Sequence, residues 1–132
     1  MKTTHIVILK QPFLNMILNG EKTIESRWSN NKIAPYQKIT SGETILLKET
    51  GKDVIASAVA EKVEFYELTP LVAEAIRVKY GNEIGIDKFT NWNEVSQKKY
   101  LTLIWLTNVR SISPTKVKRS NGAGWLVLNS TK

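Results

Sequence analysis

Apolar and polar positions along this chain fall into runs of three kinds. His5-Ile-Val-Ile-Leu-Lys10 is β-branched and almost continuously apolar, the mark of a buried strand. Phe13, Leu14, Ile17 and Leu18 then recur at helical spacing. Pro12 suits the first turn of that helix, and Gly20 is the residue type that closes one in a left-handed conformation. From Lys22 to Trp28 the pattern changes to alternation. On a strand, Lys22, Ile24 and Ser26 share one face and Thr23, Glu25 and Arg27 the other. Ile24 is the aliphatic member and is expected to face the core, which leaves Thr23, Glu25 and Arg27 on the opposite face with Lys22 at the strand mouth.

The polar tract Ser29 to Gly42 reads as a long loop, with Trp28 at its root and Tyr36 within it. Each aromatic could stack on a ligand or pin the loop to the core. Glu43 to Lys48 is a strand, Thr50 to Asp53 a turn, and Val54 to Phe65 a long strand carrying Ala56, Ser57, Ala58 and Ala60, small residues that let a strand bend. Thr69-Pro70 opens a helix with Leu71, Val72, Ala75 and Ile76 as its apolar stripe and Gly81 as its stop. Asn82 to Phe89 is irregular. Asn91-Trp-Asn-Glu94 resembles a capping box and predicts a second helix to about Lys99. Tyr100 to Leu106 is apolar on both faces, a central strand that Val109 to Ser113 extends or follows. Thr115 to Gly124 is a basic loop and Trp125 to Leu128 the last strand. Helices inserted among strands, without βαβ alternation, predict a mainly β (α+β) fold: a small β-barrel with two to three short helices, in a single domain spanning 1–132.

Composition narrows the chemistry. With no cysteine and one histidine, disulfides, thiolate metal sites and a cysteine nucleophile are excluded, and a histidine-based zinc site is not expected. His5 opens the first strand and reads as structural. No Walker loop or Gly-x-Gly-x-x-Gly is present, so no nucleotide cofactor is expected. No apolar run reaches the ~18 residues of a membrane span, and the N-terminus shows no signal peptide, so a cytoplasmic protein is the expectation. The net charge of +7 is unevenly placed. Every acidic residue lies at or before Glu94, while Lys98, Lys99, Arg110, Lys116, Lys118, Arg119 and Lys132 follow it. Such asymmetry suits a phosphate-rich partner; the alternative is a solubility feature. Likewise, Lys22, Glu25 and Arg27 are either a solvated face with cross-strand ion pairs or the floor of a polar ligand site.

Gln11-Pro12-Phe13, followed by Ile17-Leu18-Asn19-Gly20-Glu21-Lys22-Thr23-Ile24-Glu25-Ser26-Arg27-Trp28, resembles the signature of the activating signal cointegrator homology (ASCH) domains. Ser41-Gly42-Glu43-Thr44 fits the glycine–acid pair that precedes the family's next strand. The resemblance implies a PUA-like barrel and a ligand that is RNA, a nucleoside or a nucleotide. Arg27 would then hold a phosphate or carbonyl and Trp28 would stack on a base, with Gln11 and Ser26 as further ligand contacts. Lys116, Lys118 and Arg119 would track phosphates outside the cleft. Some small bacterial members are amidohydrolases of N4-acetylcytidine that use a Lys, a Thr and a Glu, and one branch is ribonucleolytic. Carried over, the hydrolase lysine falls on Lys22, but its threonine falls on Glu25, and its glutamate falls in the segment of Glu83 or Asp87. A hydrolase reading therefore uses Lys22 as base, Glu25 as proton shuttle and Thr23 as the nearby hydroxyl. Lys22 and Thr23 cooperate only if the strand starts irregularly after Gly20, so weak or absent amidohydrolase activity is expected. A third reading is a protein-interaction module whose basic segment meets an acidic partner.

Overall fold

The structure, a computed structural model, describes residues 3–86, 91–117 and 124–129. In chain order the elements are strand β1 (Thr3–Leu9), helix α1 (Phe13–Leu18), strands β2 (Ile24–Ser29), β3 (Thr44–Glu49) and β4 (Val54–Glu67), helices α2 (Pro70–Ile84) and α3 (Trp92–Val95), and strands β5 (Tyr100–Thr115) and β6 (Trp125–Asn129). The strands form one curled sheet in the order β2-β5-β4-β3-β1-β6. Its pairs are antiparallel except β1 with β3, which run parallel.

Two apolar clusters explain why β5 is apolar on both faces. Val7, Leu9, Leu14, Ile45, Leu47 and Ile104 fill the concave side of the sheet. Ile24, Ile76, Ile84, Leu101 and Leu103 pack β2 and β5 against α2 on the other side. Leu101 and Leu103 thus alternate with Thr102 and Ile104 along one strand, each set buried. The small residues of β4 do what their size suggested. Ala56, Ala58 and Ala60 are buried, and the β4–β5 register shifts three times across this stretch, which lets the long pair curl.

Helix α2 departs from its sequence reading. It runs through Gly81, is buried there, and ends at Gly85 in the left-handed region (φ 79°). A glycine inside a helix costs only about 1 kcal/mol relative to alanine, and the extra turn buries Ile84. The expected stripe is also displaced, since Leu71 is 84% exposed while Ala73, Ile76 and Ile84 are buried. The chain offers two apolar stripes here, and only the one that reaches Ile84 meets the core. Helix α3 is a single turn rather than a run to Lys99. The Lys99 N–H donates to the Ser29 carbonyl and the Lys99 carbonyl accepts from Leu68 N–H, so this backbone is already committed to the β2–β5–β4 sheet. Strand β5 continues without a break to Thr115.

The 29–43 loop is pinned rather than free: Tyr36 and Ile39 are buried, and Tyr36 packs 5.5 Å from Phe65 and 5.0 Å from Tyr100, centroid to centroid. His5 is fully buried. Its Nδ1 accepts from the Trp125 indole N–H (3.0 Å), so its Nε2 carries the proton and donates to Glu43 (2.8 Å). This network ties β1 to β6 and to the start of β3.

Candidate ligand-binding cleft

Strand β2 is an edge of the sheet, and its concave face carries Glu25 and Arg27 opposite Ile104 and Thr102 of β5. Ile24 faces the other way and is buried against α2. Regular pleating would send Lys22 away from Glu25, yet Lys22 enters the same cleft. The strand begins only at Ile24; before it, Gly20 sits at φ 86° and the Lys22 N–H donates to the Met16 carbonyl (2.9 Å). This irregular start turns the lysine inward. Thr23 goes the other way: its backbone pairs with Glu83 and Leu106, and its side chain is exposed.

Lys22, Glu25 and Arg27 form an ion-paired triad, its lysine and glutamate buried and its arginine partly exposed. Lys22 Nζ lies 3.4 Å from Glu25 Oε1, and Arg27 Nε donates to Glu25 Oε2 at 2.7 Å. Lys22 and Glu25 are only 3% and 5% exposed. Burial pushes the Lys22 ammonium below the ordinary lysine range, and the Glu25 carboxylate opposes that shift. Burial alone would raise the Glu25 carboxyl, but the charges of Lys22 and Arg27 outweigh it and hold Glu25 below the ordinary carboxylate range. Lys22 Nζ also donates to the carbonyls of Ile24 (2.9 Å) and Ile84 (2.6 Å). With Glu25 these make three acceptors, the complement of an ammonium's three N–H groups.

Arg27 spans the seam of the curled sheet. Its terminal nitrogens donate to the carbonyls of Ile8 in β1 (3.1 Å) and Gly124 at the start of β6 (3.3 Å), linking the two sheet edges. A Cβ on Gly124 would stand 2.9 Å from Arg27 Nη1, so any side chain there would displace the end of the arginine. Of five guanidinium N–H groups three are used among the described residues, leaving one on each terminal nitrogen.

The triad forms part of the wall of a cleft of about 600 Å³. Phe13 closes one side, with Lys22 Nζ 5.5 Å from its ring centre, and Ile84 and Val95 close another. Lys10 and Lys98 stand on the lining and make no ion pair among the described residues; Glu94 adds a second carboxylate. Four cations therefore face two carboxylates.

Of the residues singled out in the sequence, Lys22, Glu25, Ser26, Arg27 and Trp28 line this cleft together. The Ser26 hydroxyl accepts from the Trp28 indole N–H (3.0 Å), and Trp28 meets Trp92 edge-on at 5.9 Å. Thr23, Gln11 and Glu83 do not line it. Gln11 Oε1 accepts from Asn15 N–H in the first turn of α1, and its amide donates to Glu49. Lys116 is exposed just past the end of β5, away from the Thr102 pairing with Arg27. Asp87, Lys118 and Arg119 lie outside the described residues. Lys10, Phe13 and Lys98 were missed in the sequence. Phe13 carries a helical-stripe signal and a place in the Gln11-Pro12-Phe13 signature, neither of which marks a ligand contact, and Lys10 and Lys98 line one cleft only once the ends of β1 and α3 are brought together. Among the described residues no group of three His, Asp or Glu could hold a metal ion, and no helix is long and apolar enough to cross a membrane.

No protein-family model matches the chain, and no curated protein matches it. Among solved structures it is similar to the ASCH protein of Zymomonas mobilis, with TM-score 0.69 and 19% identity over 96% of this chain and 87% of that one. It is similar also to a serine-to-alanine mutant of that protein, with TM-score 0.70 and 18% identity over 96% and 88%. A more distant likeness is to the N-terminal domain of McrB from Staphylothermus marinus, with TM-score 0.52 and 17% identity over 86% and 76%. The chain thus has the fold of the ASCH domains, a small, curled, barrel-like sheet with inserted short helices, as the Gln11 to Trp28 signature implied.

Proposed function

We propose that this chain is a nucleotide- or RNA-binding domain and that the cleft over Lys22, Glu25 and Arg27 is its ligand site. The observation that carries the reading is the excess of cations lining one concave site beside Phe13 and Trp28. Arg27, Lys10 and Lys98 supply charge and N–H donors for a phosphate, and Trp28 and Phe13 offer ring faces for a base or ribose. Glu25 holds Lys22 and Arg27 in register and offsets the cost of burying them. The basic residues Lys116, Lys118 and Arg119 would add phosphate contacts outside the cleft in a longer RNA.

Binding is favoured over hydrolysis. A lysine acting as general base needs a free lone pair, whereas Lys22 has an acceptor for each ammonium N–H. Thr23, the hydroxyl that a hydrolase reading would use, faces outward. The test is titration of a fluorescent single-stranded RNA against wild type and Lys10→Ala/Lys98→Ala, two substitutions at sites without ion pairs among the described residues. Each lost phosphate contact should lower the slope of log K against log salt by about 0.7. Unchanged affinity and slope would remove the cleft from the binding surface.

A further inference from the structure

Beside the main cleft lies a second, smaller cavity of about 120 Å³, between β2, the pinned loop and the start of β6. Arg27, Trp28 and Gly124 line both spaces, so the two adjoin across the Arg27 side chain. Three aromatic side chains, Trp28, Tyr36 and Trp125, stand in the walls of the small cavity, with Ile33, Ala34 and Pro35 from the loop. Thr102 also lines it, from the β5 position paired with Arg27. Thr102 is 1% exposed, and its Oγ1 is a buried polar atom with no hydrogen-bond partner among the described residues. A buried hydroxyl without a partner costs stability, and valine has nearly the same shape without that cost. The Thr102 hydroxyl is therefore open to a partner from beyond the described residues.

We propose that this cavity is a subsite for a single-ring nucleobase, with the Thr102 hydroxyl hydrogen-bonding its edge while Arg27 holds the attached phosphate on the side of the main cleft. The inference rests on the nucleotide-binding reading above and adds which part of the nucleotide enters where. Size favours the smaller class of base: about 120 Å³ has room for one six-membered ring, and a second fused ring would project out of the cavity. Aromatic walls suit a planar ring. A hydroxyl both donates and accepts, so Thr102 reads the presence of a polar ring edge and does not distinguish uracil from cytosine.

The test is isothermal titration of CMP, UMP, AMP, GMP and ribose 5-phosphate into wild type, Thr102→Val and Ala34→Leu. Wild type should bind CMP and UMP about tenfold more tightly than ribose 5-phosphate or the purine nucleotides. Thr102→Val should lose most of that preference, leave ribose 5-phosphate unchanged, and raise Tm, because the unpartnered hydroxyl is gone. Ala34→Leu fills the cavity from the loop and should lose the same preference with Thr102 intact, which covers the case of a Thr102 variant that folds poorly. Equal binding of purine and pyrimidine nucleotides, or an unchanged preference in both variants, would overturn the subsite and leave the phosphate cleft standing. Failure of all five ligands to bind wild type would overturn both.

Discussion

At the scale of single residues, the account turns on Glu25. Among the described residues it is the only carboxylate paired with both Lys22 and Arg27, and it is buried. Removing one partner of a buried ion pair typically costs about 3–5 kcal/mol, because the remaining charges lose their compensation. Glu25→Gln should therefore lower unfolding stability by roughly 3 kcal/mol in urea titration, and a change under 1 kcal/mol would mean that the triad is better solvated than its burial implies. The pH dependence follows from the directions of the shifts. Glu25 titrates below its ordinary value of 4.5 when folded, so its contribution is complete above that value and is lost as pH falls through the depressed one. Lys22 titrates below its ordinary 10.5, so burying its charge costs stability below its folded value, and that cost is relieved as pH rises toward 10.5. In Glu25→Gln the acid-side loss should flatten. The same saturated Lys22 predicts no turnover when N4-acetylcytidine is incubated with the protein and cytidine release is followed. Robust release by wild type, abolished in Lys22→Ala, would establish hydrolysis instead.

At the scale of elements, the end of α2 sets the back wall of the cleft. Gly85 closes the helix at positive φ, and a Cβ there would meet Met16 Cε at 2.9 Å. Gly85→Ala should cost about 1–2 kcal/mol from the left-handed backbone alone and more if Met16 cannot yield, measured as a fall in Tm. An unchanged Tm would place the helix end elsewhere. This region also marks where sequence reading stopped. The strands were legible because their apolar runs are local: β1, β3, β5 and β6 announce themselves by composition. The parallel β1–β3 pairing was not, since a strand's choice of partner is non-local. Gly81 misled because glycine is a stop only where the chain turns, and here the burial of Ile84 outweighs its helix cost. The candidate site was half legible. Glu25 and Arg27 could be read from alternation, and Ser26 and Trp28 from the family signature. Lys22 was placed by the signature, while its inward turn depends on the Met16 contact. Thr102 sits amid an apolar run, with nothing in its local sequence to set it apart from a cross-strand filler.

At the scale of the whole molecule, the curled sheet brings its two edges together and Arg27 bridges them, so the ligand site and the closure of the barrel share one side chain. A substitution that removes Arg27 would disturb both, which makes it a poor discriminator. Gly124→Ala separates them better: it presses on Arg27 Nη1 without deleting the charge, and it should weaken nucleotide binding more than it lowers Tm. The charge asymmetry belongs to this scale too. If the C-terminal basic segment tracks RNA, replacing Lys116, Lys118 and Arg119 with alanine should lower the salt slope for a long single strand by up to about 2 while leaving mononucleotide affinity unchanged. A slope that does not move would make the segment a solubility feature.

The most direct test of the central claim is a titration of uniformly labelled protein with CMP, followed by backbone and side-chain NMR shifts. The account predicts saturable shifts concentrated at Lys10, Phe13, Lys22, Arg27, Trp28 and Lys98, with Thr102 moving in the same titration. Absence of shifts at the Lys22, Glu25 and Arg27 positions, or saturable shifts confined to another face of the barrel, would contradict it.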